Sequence, residues 1–359
     1  MRIKELDGLR GIASLVVLMH HSLLTIPALA GAYFGLEVTG LIPKILVYTP
    51  LHLFWAGTEA VFLFFVLSGI VLSRMTLSEN FNLSKYYPSR VLRILGPTVI
   101  AVLIGAILVF STSAFGNQPS PWLNGRNAPY PLSALVSDLT LIGGTSGRIS
   151  QLWSLQWELI FSLALPLFLY LKTTRIWTSL LIQLAVISLG AFSNSAVLTF
   201  LPMFGIGVVL GMGWNDVIGK SSRLVSNSAF SYIRGVFLLF VSLILISSNW
   251  IILPLSPVKE VKPLSIPLSI LGIVLLVILT VSWKPLTWVF TSRTMTWLGA
   301  ISFSLYLVHE PIVVAIAFIT NSSKVGLVIG IIVSLIAAQL FYRFIEKPIH
   351  KRARKLLEV

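Results

Sequence analysis

Two residues in one apolar stretch set the chemistry. In DGLRGIASLVVLMHHS, residues 7–22, Arg10 and His21 stand eleven positions apart. At about 100° per residue they fall within about 20° of one another around a helix; Asp7 and Ser14 share their face, and His20 turns roughly 80° away. The axial separation is about 16 Å, half of a roughly 30 Å hydrocarbon core, so an arginine at the interface puts His21 near the midplane. An ionisable group at that depth costs at least about 2.5 kcal/mol against lipid and belongs in a protein interior or a wet cavity. An imidazole there suits proton transfer at neutral pH. A neutral histidine bonded between helices for structure is the alternative.

Further places set polar groups among apolar ones. Glu158, in LWSLQWELIF, lies about 9 Å into a helix entering from the outer side. That depth is close enough to His21 for the carboxylate to orient the imidazole and stabilise its protonated form; a carboxylate paired with an arginine for folding is the alternative. His309, in ISFSLYLVHEPI, is about 18 Å into its own helix and competes with His21 as the base, with Tyr306 before it as part of a second polar site. Pro311 kinks that helix, which makes a structural histidine the alternative reading. Arg90 and Arg93, in KYYPSRVLRILGP, open the third helix at the cytoplasmic side with Lys85 nearby. Clustered guanidinium groups suit phosphate, and equally plain interfacial anchoring. Ser68 and Gly69, in FLFFVLSGIVLS, lie in an apolar run where glycine admits another backbone or a ligand. Together these residues describe an anion-binding mouth above a buried histidine and carboxylate. A phosphate-bearing donor with a long thin arm fits it, and coenzyme A thioesters have that shape.

The elements that must position these groups are membrane helices. Of 359 residues, 56% are hydrophobic and 11% charged, against about a quarter charged in soluble domains. Ten segments reach the roughly 20 mainly apolar residues a span requires, near 10–28, 57–75, 94–112, 152–171, 176–193, 197–213, 234–253, 264–283, 297–319 and 325–345. The expectation is an all-α polytopic membrane protein of about ten transmembrane helices, forming a single domain over 1–359. With the N-terminus in the cytoplasm, 20 of the 26 lysines and arginines fall on inner segments, Arg2 and Lys172 among them. The positive-inside rule then puts both termini in the cytoplasm and explains the net charge without a nucleic-acid partner. The basic tail around His350 to Lys355 suits anionic lipid.

Of the two longer outer loops, 29–56 is expected on or dipping into the membrane, and the piece Leu132 to Ile142 within 113–151 at its interface. Gly205, Gly207 and Gly211 lie inside a span with no strand before them and read as close helix packing, not as a nucleotide loop. The chain has no cysteine, so thiolate nucleophiles and cysteine metal sites are excluded and no metal site is expected. His20, His21 and Ser22 interrupt the signal-peptide-like start, which is expected to be retained.

Six segments, LDGLRGIASLVVLMHH, FFVLSG, SRVLRILGP, LWSLQWE, ISFSLYLVHEP and YRFIEKP, spread in that order across the chain, resemble the acyltransferase-3 family of integral membrane acyltransferases. The resemblance implies transfer of an acyl group, commonly acetyl from acetyl-CoA, to a hydroxyl of a cell-envelope carbohydrate. It implies essential roles for Arg10 and His21, matches Glu158 to the acidic residue of the WSL segment, and matches Arg93 to the last of a paired-arginine motif. This sequence departs from the family's pattern at Ser89, where a first arginine is usual, at Ile70, where phenylalanine is usual, and at Ser162, where tyrosine is usual. Arg90 and Lys85 are the substitutes for the missing arginine. No esterase-like domain is expected, unlike in some members.

The mechanism expected has His21 as general base on the acceptor hydroxyl, Glu158 holding the imidazole and Arg10 holding the donor; a variant has His21 take the acyl group first. The expected partners are acyl-CoA from the cytoplasm as co-substrate, a carbohydrate or glycolipid acceptor, and membrane lipids, with no permanently bound cofactor. Family analogy puts lipopolysaccharide O-antigen first among acceptors and the bacterial cytoplasmic (inner) membrane as the location. The rival from another class is a glycolipid transporter or flippase with an intramembrane proton relay.

Overall fold

The computed structural model describes residues 3–79, 81–112, 116, 118–127, 129–170, 175–225, 229–256 and 258–358. Arg2 and Lys172, counted above among the inner cations, lie outside them. The described residues are helical with no strand. The longer helices are α1 (Lys4–Leu23), α2 (Gly57–Thr76), α3 (Leu83–Thr112), α4 (Leu132–Thr140), α5 (Leu152–Leu169), α6 (Ile176–Phe192), α7 (Ala196–Met212), α8 (Ala229–Ile246), α9 (Val258–Ser282), α10 (Arg293–Ile319), α11 (Lys324–Phe341) and α12 (Lys347–Glu358).

Each of the ten predicted segments falls on a helix. Among the described residues, six stretches are long and apolar enough to cross a membrane, and nine if three bent pairs each count as one span. A tenth requires α6, an apolar helix of 17 residues. The fold is therefore all-helical, of a multi-pass membrane protein, with six to nine candidate spans.

Two helix boundaries differ from expectation and move site residues. The first helix runs over Lys4–Leu23, not 10–28, and the chain then turns by 112° into Pro27–Phe34. Proline fixes φ and lacks the amide a continuing helix needs, so His21 sits in the last turn of α1 rather than at its middle. The third helix starts at Leu83, not 94, because the Asn82 side chain accepts from the Ser84 and Lys85 amides and caps it. Pro88 is accommodated inside the helix, so Arg90 and Arg93 lie well within α3 instead of opening it.

The chain forms two compact units. Unit 1 comprises Met1–Ala13, Ile45–Phe81 and Ala164–Ala300. Here the start of α1 meets the start of α10 and the short helix Lys284–Phe290 before it: a Cβ on Gly8 would run into the Phe290 carbonyl, and one on Gly11 into Leu298 and Gly299. In the same unit α2 and α7 approach through Gly69, Gly207 and Gly211, as predicted for Gly207 and Gly211.

Unit 2 comprises Ser14–Lys44, Asn82–Leu163 and Ile301–Val359. It contains the end of α1, α3, α4, most of α5, most of α10, α11 and α12. Pro311 inside α10 cannot donate to Leu307 four residues back, and that carbonyl accepts instead from the Gln151 side chain at 3.0 Å. The segment before α5 is thereby pinned to α10 beside His309.

Candidate functional site

Unit 2 brings the two candidate histidines together. His21 Nδ1 and His309 Nε2 are 2.7 Å apart, with ring centroids 5.0 Å apart and planes inclined by 26°. His309 Nδ1 lies 2.8 Å from the Leu305 carbonyl one turn back in α10. A carbonyl only accepts, so His309 carries its proton on Nδ1, and in the neutral ring Nε2 is an acceptor. His21 must then donate from Nδ1, which leaves its Nε2 lone pair unprotonated and turned away from the pair. The backbone of α10 thus sets the tautomer of His21 through His309. Both side chains are buried, His309 fully.

The group at that lone pair is the Ser150 hydroxyl, 3.4 Å from Nε2. Ser150 is held twice by Glu310: its amide donates to Oε2 at 2.9 Å and its hydroxyl to Oε1 at 2.8 Å. The carboxylate is 0% exposed and its charge is met by Arg126, whose Nε lies 2.9 Å from Oε1. That Nε–H is not aimed along the contact, so this is a charge contact rather than an aligned hydrogen bond. Arg126 also lies over the Trp122 ring, 5.0 Å from its centroid, and Trp122 stacks on His21 with centroids 5.5 Å apart. One ring of contacts therefore runs from His21 through Ser150, Glu310, Arg126 and Trp122 back to His21.

Tyr306, predicted for a second polar site with His309, joins this one. Its ring is 6.1 Å from that of His309, and its hydroxyl bonds Ser154 Oγ at 2.5 Å and the Gln151 carbonyl at 3.1 Å. The two sites expected from the sequence are one, and the histidines expected to compete are hydrogen-bonded partners.

Glu158 is placed otherwise. The group on His21 Nδ1 is His309, and Glu158 Oε1 accepts from Arg90 Nη2 at 2.6 Å. Arg90 Nε also donates to Ser162 Oγ at 2.9 Å. Depth along the membrane normal, from which Glu158 was matched to His21, does not fix which neighbours meet laterally. Arg93 is exposed, its carbonyl 3.4 Å from His350 Nε2, and Lys85 is half-buried near the start of α3. In unit 1, Arg10 Nη2 reaches Ser68 Oγ at 3.5 Å. Gly69 beside it is taken up by the close approach of α7, whose Phe204 carbonyl and Gly207 leave no room for a Cβ.

Four participants escaped the sequence reading. Glu310 was in plain view, a carboxylate next to His309 in an apolar helix, and the depth argument applied to His309 covers it equally. Trp122, Arg126 and Ser150 lie between the long helices α3 and α5, and no periodicity signals that this stretch folds back onto a helix end.

The chain's likeness to known proteins covers this whole arrangement. The acyltransferase-domain family matches residues 3–343. Peptidoglycan O-acetyltransferase OatA of Listeria monocytogenes is 22% identical over 97% of this chain and 56% of its own length. YrhL of Bacillus subtilis, whose name assigns it the same activity provisionally, is 24% identical over 97% of this chain and 55% of its own. The chain thus spans just over half the length of these curated relatives. No solved structure matches it. The family match runs from the first turn of α1 past the end of α11, through every residue of the histidine site, and the chain belongs to the acyltransferase-3 family.

Proposed function

We propose that this chain is a membrane O-acyltransferase that moves an acyl group, acetyl from acetyl-CoA, to a hydroxyl of a cell-envelope carbohydrate. The observation that carries the reading is the His21–His309 pair, whose hydrogen bonds leave His21 Nε2 as a free base. In this reading the acceptor hydroxyl approaches that nitrogen, which Ser150 Oγ now faces at 3.4 Å. His21 Nε2 takes the proton of that hydroxyl as its oxygen attacks the thioester carbonyl. The carbon–sulfur bond breaks, and the imidazolium returns the proton to the departing thiolate. His309 holds the His21 ring and accepts from its Nδ1–H throughout, the orienting role a carboxylate plays in other bases of this kind.

Arg10 is the donor anchor in this reading. It lies in the first half of α1, with Ser68 at its guanidinium. Arg90, Arg93 and Lys85 supply positive charge that draws the donor's phosphates, and Glu158 fixes the Arg90 fork. Both termini are placed in the cytoplasm and the protein in the bacterial inner membrane, following the distribution of lysine and arginine. His21, in the last turn of α1, then lies toward the outer side. For the acceptor, the names of the two relatives favour peptidoglycan over the lipopolysaccharide O-antigen expected from the sequence.

The test is to supply acetyl-labelled acetyl-CoA to membranes with and without this protein and to analyse the envelope glycans by mass spectrometry. Label bound as an ester to a saccharide, and only when the protein is present, is the expected result. Unlabelled glycolipid crossing the membrane with no acetyl transfer would establish the flippase instead.

A further inference from the structure

The outer segment of unit 2 holds a groove of about 310 Å³ between α4 and the turn that follows it. Ser133 and Ser137 of α4 line one wall; Thr145, Ser146 and Arg148 line the other. Among the described residues, the hydroxyls of Ser133, Ser137 and Thr145 have no hydrogen-bond partner in the protein. A groove of this size lies within the range of small-ligand sites, and its uncommitted donors and acceptors are hydroxyls, beside an Arg148 guanidinium whose Nη1 donates to the Gly125 carbonyl at 3.3 Å.

The wall is built to keep its shape. Asp138 is fully buried and accepts from the Tyr130 hydroxyl at 2.6 Å, the Ser146 amide at 2.7 Å and the Ser146 hydroxyl at 2.5 Å. Desolvation, reinforced by the bond to Asp138, pushes the Tyr130 phenol well above its ordinary range and keeps it a donor. Gly143 and Gly144 adopt φ of 75° and 123°, where a side chain would be strained, and nothing stands within 4 Å of either Cβ position. The turn therefore leaves space over the groove that most residues would fill.

Position gives the groove its use. Arg148 lines it, and Ser150, two residues on, touches His21 Nε2; two extended residues span at most about 7 Å. On its other face α4 exposes Leu132 and Val136, with Ile142 just beyond, an apolar stripe suited to a lipid surface. The groove thus lies beside an apolar stripe suited to lipid and two residues from the hydroxyl that touches His21.

We propose that this groove is the acceptor subsite, binding a saccharide presented at the membrane surface so that one of its hydroxyls reaches His21. The inference rests on the reading of His21 as the base of an acyl transfer. The full-length protein in detergent is tested with acetyl-CoA and, as acceptor probe, a GlcNAc–MurNAc disaccharide peptide. Two variants are compared with wild type: Ser133→Trp, which fills the groove from an exposed position, and Ser137→Ala, which removes one hydroxyl without bulk. Ser133→Trp should raise the acceptor KM at least about tenfold and Ser137→Ala a few-fold, with the acetyl-CoA KM unchanged. An acceptor KM unaffected by both overturns the groove while leaving the transfer reaction standing. Direct binding of the disaccharide, measured by calorimetry, separates the two claims if wild type shows no turnover. Binding that Ser133→Trp weakens about tenfold supports the groove although the transfer reading has failed; no binding to wild type, or equal binding to all three, overturns it.

Discussion

His21 Nδ1 donates to His309 Nε2 across 2.7 Å, and the direction of that bond is set by the Leu305 carbonyl on the far side of His309. A main-chain acceptor in α10 thereby decides which nitrogen of a histidine in α1 is free to take a proton.

His309 is accordingly a positioning residue. His309→Ala should lower kcat by about 10²-fold with acetyl-CoA KM little changed, because the tautomer and ring orientation of His21 are no longer fixed. His309→Gln should recover part of that loss, since its amide oxygen can accept from Nδ1–H. Steady-state kinetics of the two variants check this, and equal losses in both would point to packing alone.

Transfer by direct attack on the thioester predicts sequential kinetics, with both substrates bound before either product leaves. Initial-rate patterns with acetyl-CoA and acceptor varied together distinguish this from a ping-pong scheme. A labelled acyl group trapped on His21 in the absence of acceptor would replace the direct route by the covalent one.

The Glu310–Arg126 pair should matter to stability as well as to Ser150. Removing one partner of a buried pair leaves a charge uncompensated, so Arg126→Ala should lower unfolding stability by about 3 kcal/mol. Glu310→Gln, whose amide oxygen can still accept from Ser150, should cost less than Glu310→Ala. Thermal unfolding in detergent measures all three.

Arg90 and Glu158, 2.6 Å apart, should behave as one unit. In a double-mutant cycle of Arg90→Ala and Glu158→Gln, the effects on acetyl-CoA KM should be non-additive by about 1 kcal/mol or more. Additive effects would mean that the two residues act on the donor independently.

Much of this was legible in the amino-acid order, and the remainder was hidden for physical reasons. Hydropathy put each of its ten segments on a helix, of which six to nine stretches qualify as candidate spans among the described residues, because burial of apolar side chains in lipid leaves an unbroken run of them. Two helix boundaries were not visible in hydropathy: α1 stops at Leu23, ahead of Pro27, which moves His21 to its last turn, and α3 starts at the Asn82 cap and runs on through Pro88. Depth singled out His21 and His309 correctly as buried polar groups. It failed for their partners, since Glu158 and His309 both lie inside helices and only packing decides that the histidine reaches His21. Trp122, Arg126 and Ser150 carried no signal, because the placement of Arg126, Ser150 and Gln151 depends on contacts with Glu310 and Leu307 that are distant in sequence.

The most direct test is single-turnover transfer from labelled acetyl-CoA to a saccharide acceptor by purified wild type and His21→Ala, with folding of both verified by thermal unfolding. Loss of at least about 10³-fold in the transfer rate, with acetyl-CoA still bound, is the predicted result for a general base at this position. Transfer by His21→Ala within a few-fold of wild type would contradict the account at its centre.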